Sequence, residues 1–422
     1  MEVINTLSKR LHIHISNLFS VFYHKDYSLL FTGQFVSNLG DRFNGLALAW
    51  LVKILTGSTL LMGVVLATEA GAAVLAGLLA GAVVDRANKR LILILSDACR
   101  AIIVALFAIL YSIHLLHPWL IVLFAALMGT GAAMFSPARQ SVMTRTVNNS
   151  ELSSANSFAM VTRQMSMVIG PALAGISVSY WGIAPSFWID SASYVVSIVS
   201  IGFMHSQPFM RSQPVDPITQ TKTSFLKEIG EGFTTMIRHR LLKWVFFLAV
   251  IGNFLFGPVP VLLPFYAERL SSNGAMALGY IEGAMGLGML LCAILTGILG
   301  SKLHKGIITL VGIWGMGLSI LLAAIATGLA TALVAFWLFG WFNMWVTISI
   351  FTVVSQETPA NMQGRVFSIL LTTLGAALPV SQVVSGVLGS YLGIAQIYMT
   401  VSVLFLVLAA FVSFLRSVRE IR

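Results

Sequence analysis

The residues of this chain that could do chemistry are carboxyls stranded in apolar surroundings. Asp41, Glu69, Asp190 and Glu282 each interrupt an apolar stretch. On insertion scales a charged side chain at the bilayer centre costs about 2.5–3.5 kcal/mol, so such a group must pair, face water or carry an ion. Buried carboxyls of this kind are candidates for taking up and releasing a proton. Gln34, Asn38 and Asp41 are spaced i, i+4, i+7, which puts them on one helix face where a central cavity can be lined. Arg42 points about a quarter turn away, and Asp41 can either pair with a cation or exchange a proton. Glu282 sits in a run of small residues, Gly279 to Gly286, with no cation nearby in sequence. Glu69 can alternatively bond across a helix seam. Asp97 and Arg100, at i, i+3, are expected to bond each other, and Arg163 to serve as a fixed counter-ion. Asp190 is placed near the outer third of its segment, where solvation, a gate contact and proton exchange are all open. Arg139 reads as a gate or loop residue. Asn253, Phe256, Trp341 and Asn343 add amides and aromatics at cavity depth, a combination suited to amphipathic organic molecules.

Other chemistries lack their residues. The eight histidines lie at segment ends or in loops, and no H-E-x-x-H or G-x-x-x-x-G-K-[ST] pattern occurs. Cys99 and Cys292 lie in different apolar runs, without metal-ligand spacing, and read as packing residues. Enzymatic activity, a metal and a cofactor are therefore not expected. A net charge of +10 invites a nucleic-acid reading, but the cations are spread along one membrane face instead of forming a patch with aromatics.

The elements that must position these residues are membrane-spanning helices. Of 422 residues, 57% are hydrophobic and 9% charged, against about 25% charged in soluble domains. Mean hydropathy is +0.90. Long continuous apolar runs without period-two alternation favour helices over a barrel. An all-α integral membrane fold of twelve spans follows: 28–52, 59–84, 91–113, 118–143, 157–180, 185–205, 241–267, 275–300, 305–328, 331–355, 364–390 and 394–416.

Lys and Arg cluster in alternate loops, which predicts cytoplasmic N and C termini. Residues 1–27 have helically spaced apolar positions beside Lys9, Arg10 and Lys25, as in an amphipathic helix on the bilayer surface. A polar, Pro-containing cytoplasmic linker at 206–240 divides a six-helix bundle at 28–205 from another at 241–416, and 417–422 form a tail. Gly81 to Arg90 has a degenerate counterpart in Gly297 to Gly306, as duplication would leave. Two pseudo-symmetric bundles holding a substrate between them is the alternating-access plan.

Gly81, Asp85, Arg86, Lys89 and Arg90 resemble the signature loop of the major facilitator superfamily, and the resemblance covers essentially the whole chain. Ser166, Gly170, Pro171, Ala174 and Gly175 resemble its antiporter motif, which in that superfamily marks exporters. The stretches GQFVSNLGDRF, FSPARQ and WIDSAS are similar to the drug-efflux branch containing macrolide and siderophore exporters. The resemblance implies a secondary active exporter of amphipathic small molecules driven by protons, with Gly81, Asp85, Arg86 and Arg90 forming a cytoplasmic gate. Siderophore or lipid export, or import on the same fold, is the alternative. The expected setting is the plasma or inner membrane of a bacterium, with a monomer in contact with lipid, substrate and protons.

Overall fold

The structure is a computed structural model that describes residues 19–205, 230, 233–234, 236–299, 304–360 and 362–414. Residues 1–18 of the surface segment expected over 1–27, most of the 206–240 linker and the 417–422 tail lie outside the described residues; Ser20–Tyr23 form one 3₁₀ turn ahead of α1. Among the described residues the long α-helices follow in this order: α1 (Lys25–Thr56), α2 (Thr59–Arg86), α3 (Lys89–Ser112), α4 (Pro118–Met143), α5 (Leu152–Trp181), α6 (Ile183–Gly202), α7 (Arg240–Phe256), α8 (Pro258–Leu270), α9 (Gly274–Leu299), α10 (Lys305–Ile325), α11 (Leu329–Glu357), α12 (Gln363–Tyr391) and α13 (Ile394–Phe414).

Local chemistry sets the helix boundaries. Gly57 takes φ +60 and ends α1, and the Ser58 hydroxyl then accepts the Leu61 N–H at 3.1 Å to start α2. Asn88 caps α3 by accepting the Arg90 N–H at 2.9 Å. Gly182, at φ +85, reverses the chain between α5 and α6.

Among the described residues, nine helical stretches are long and apolar enough to cross a membrane, with α7 and α8 counted together as Leu241–Leu270. Twelve were expected. The three that fall short, α1, α5 and α6, turn polar faces inward. Ser186, Asp190, Ser191, Ser193, Ser197 and Ser200 are all buried in α6 alone, and this lowers its hydropathy without exposing polar groups to lipid. Much of the exterior is apolar, with Leu75, Ile298 and Val407 among the exposed side chains, as a lipid-embedded surface requires.

The helices up to residue 202 pack mainly on one another. α1 lies against α5 and α6, α2 against α4, and α3 against α4 and α6. Beyond residue 240, α9 packs on α11, α10 on α11 and α13, and α7 on α12. Two extensive seams, α5 with α9 and α2 with α12, join the earlier helices to the later ones.

Candidate functional site: a polar core beside two glycine seams

Glycine and backbone oxygen build both seams. On α5–α9, a Cβ at Gly279 would fall on the Pro171 carbonyl oxygen, and one at Gly175 would stand 3.1 Å from the Gly279 Cα. About two turns further along α9, Gly286 faces the Met167 carbonyl. Of the antiporter-type residues, Pro171 and Gly175 lie in the surface that meets α9, while Gly170 faces Arg42 of α1; small residues here allow the backbones to approach this closely. On α2–α12, Gly63 meets the Gln382 carbonyl, and the Thr59 hydroxyl donates to the Gly386 carbonyl at 2.9 Å.

These contacts lie toward the end of the molecule where α1 finishes. At that end Lys53 of α1 pairs with Glu268 of α8, Trp50 packs under Gly274, and the Asn273 amide donates to Ser179. Toward the opposite end α2 and α12 part around a cavity of about 490 Å³, whose walls include Ala73, Val74, Gly77, Ser368 and Thr372. One end is sealed and the other open.

The carboxyls gather beside the seams. The Tyr194 hydroxyl of α6 donates to Asp41 at 2.6 Å. Behind it Arg100 pairs with Asp97, and its guanidinium lies 4.4 Å from the Tyr194 ring centre and 4.8 Å from that of Phe135. Asp190 is fully buried against Gly40. The Ser193 hydroxyl donates to the Asp190 carbonyl at 2.7 Å and lies 3.4 Å from Oδ1, while Oδ2 has no partner. The Asp97–Arg100 pair forms as its spacing requires. Solvation of Asp190, one of the expected readings, is overturned by its complete burial.

Arg42 does not pair with Asp41. Its stem packs on Gly170, and its charge acts on both Glu69 of α2 and Glu282 of α9. Arg163 is exposed and acts on Arg139, not on a carboxyl. Arg139 lies within α4 and not in a loop.

The amide and aromatic candidates separate. Asn253, Phe256 and Asn343 line one cavity of about 220 Å³, together with Met316, Thr347 and Phe351. Asn253 donates to the Leu374 carbonyl at 2.7 Å, and Phe256 stacks on Phe339 with 6.0 Å between centroids. Trp341 is absent from that lining. Positions 341 and 343 lie about 200° apart around a helix, and Trp341 instead stands between Trp337 and Trp345, 5.6 and 5.9 Å away. Gln34 and Asn38 are also elsewhere, facing a small cleft of about 20 Å³ with Tyr27 and Arg139.

Of the expected gate residues, Gly81, Asp85 and Arg86 lie in the last turns of α2. Arg90 donates to the Gly202 carbonyl at the end of α6, a contact inside the earlier helix group. Cys292 is buried as expected, whereas Cys99 is exposed.

Helices joined along two seams, sealed at one end and open at the other around a polar core, define a multi-span membrane transporter. The sequence matches the transmembrane secretion effector family over residues 16–422, and the chain belongs to that family of the major facilitator superfamily. Its members are transporters and not enzymes. The chain is 20% identical over 398 residues to macrolide efflux protein A of Streptococcus pyogenes, covering 93% of this chain and 96% of that protein. It is 26% identical over 353 residues to the enterobactin exporter EntS of Escherichia coli, covering 81% of this chain and 80% of that one. The fold is similar to that of the nucleoside transporter NupG, with a TM-score of 0.71 at 13% identity, over 94% of this chain and all of that one.

Proposed function

We propose that the chain is a secondary active exporter of amphipathic small molecules, built from twelve spans in two six-helix halves and working by alternating access in exchange for protons. In this reading α7 and α8 form one broken span, and α1, α5 and α6 complete the earlier half. The observation that carries it is the seal at one end and the opening at the other, with carboxyls beside the seams. The cations flanking the open end, Arg90, Arg145, Lys305 and Arg365, support a cytoplasmic position for it, and in this reading the conformation is the one that loads from inside. The similarity to macrolide and enterobactin exporters supports the outward direction.

Labour is divided between the halves. In this reading Asp41, Asp190 and Glu69 handle protons in the earlier half, and Glu282 does so in the later one. Substrate in this reading binds the cavity lined by Asn253, Phe256 and Asn343 of the later half. One proton moving inward through 100 mV releases about 2.3 kcal/mol, enough for roughly a fifty-fold gradient of substrate.

Ethidium retention in bacteria expressing the chain tests this. Cells should hold less dye than controls, and a protonophore or Glu282→Gln should raise retention to the control level. Retention unchanged by both would remove the coupling assignment. The enterobactin exporter relative favours a second reading, export of a catecholate siderophore. That reading predicts that iron-starved expressing cells release more catecholate into the medium.

A further inference from the structure

The face that α7 and α13 present to the bilayer is not flat. Between them runs a groove of about 300 Å³, walled by Trp244, Phe247 and Ile251 of α7 and by Leu408, Phe411 and Val412 of α13. Positions 244 to 251 span about 10 Å of helix. Phe247, Ile251 and Phe411 are each roughly half exposed, so the groove opens sideways along its length. Trp244 and Phe411 meet edge to face at 5.8 Å across its end nearest the open side of the molecule.

Directly above that end stands Lys243, its ammonium 5.3 Å from the centre of the Trp244 ring. Among the described residues no carboxylate pairs with it. The neighbouring His239 lies 3.8 Å from Glu357, and Arg238 is exposed nearby, so local charge stays positive. Tryptophan at headgroup depth and a lysine beside it are the features that bind a membrane surface.

The geometry points to a bound anionic phospholipid, with one acyl chain in the α7–α13 groove and its phosphate on Lys243. An all-apolar trench under a single unpaired cation matches that molecule's two ends. A zwitterionic lipid fills the trench equally well but brings a cationic headgroup against Lys243. One such cation near the surface corresponds to about a five-fold preference for the anionic lipid. The groove adjoins the 220 Å³ cavity, with Leu248 and Leu408 lining both, and the lipid assignment needs neither export nor proton coupling to be true.

Brominated lipids quench tryptophan on contact and read the site directly. The chain is reconstituted in phosphatidylcholine vesicles containing rising fractions of dibrominated phosphatidylglycerol or dibrominated phosphatidylcholine. The Trp244 signal is the difference between the native chain and Trp244→Phe. Brominated phosphatidylglycerol should quench that signal at about five-fold lower mole fraction, and Lys243→Gln should bring the two curves together while leaving helix content unchanged. Equal quenching by both lipids in the native chain, or a preference that survives Lys243→Gln, would overturn the assignment. So would shielding of Trp244 from both lipids, which would put a second copy of the chain over the groove.

Discussion

Tyr194 illustrates what could and could not be read at the scale of single residues. Asp41 announces itself by charge and by its i+7 relation to Gln34. The tyrosine that holds it reads as one more aromatic in an apolar run. Nothing in sequence places α6 beside α1, and only that contact brings the Tyr194 hydroxyl to the Asp41 carboxyl. Tyr194→Phe keeps the ring under Arg100 and removes only the hydroxyl. It should lower stability by about 1 kcal/mol in thermal unfolding and shift the pH dependence of dye export. An unchanged pH profile would leave Tyr194 a packing residue. Asp97 and Arg100 were legible because partners three residues apart on a helix need no tertiary information. Trp341 was misplaced because aromatic type does not say which side of α11 faces the cavity.

Glu151 supplies a pH test outside the spans. It completes a capping box with Asn148 and takes further hydrogen bonds from Ser20 at 2.6 Å and His24 at 2.7 Å, which together hold its carboxyl down at about 2. A depressed carboxyl stabilises the folded state above its ordinary value, about 4.5, and that contribution fades as pH falls from there through about 2. Melting temperature should therefore fall over this window, and Glu151→Gln should flatten that part of the curve.

At the scale of elements, the sequence predicts a continuous span over 241–267, and the structure divides it at Gly257 and Pro258. Pro258 has no N–H for the Phe254 carbonyl one turn back. The Ser381 hydroxyl of α12 donates to that carbonyl instead, and Gly257 leaves room for it. The proline was visible in the sequence, but the substitute donor lies over a hundred residues away and could not be. Ser381→Ala should leave the carbonyl with only the Gly257 N–H, 3.2 Å away, and cost about 1 kcal/mol. Adding Pro258→Ala, which restores the N–H, should recover part of that loss, and thermal melts of the single and double variants check it. The seams were more legible. Pro171 and Gly175, singled out by type and spacing, lie against α9, whereas Gly170 of the same motif faces Arg42 of α1.

For the whole molecule, composition and run length settle an all-helical membrane protein, because backbone in lipid has few ways to satisfy its hydrogen bonds. The helices that carry the polar core are the hardest to read as spans, since Asp41, Arg42 and the α6 serines depress the signal that identifies a span. That the charge of Arg42 acts on both Glu69 and Glu282 depends on how α2 and α9 lie about α1, which no local pattern records. The central claim is that sealing one end and opening the other are a single motion. Spin labels at Leu55 and Ser272 report the sealed end, and labels at Ser153 and Ile298 report the open end. Gly279→Val places side-chain atoms against the Pro171 carbonyl and weakens the seal. Pulsed electron spin resonance distances should then lengthen between Leu55 and Ser272 while they shorten between Ser153 and Ile298. Lengthening at both ends, or a change confined to the sealed end, would contradict alternating access in this molecule.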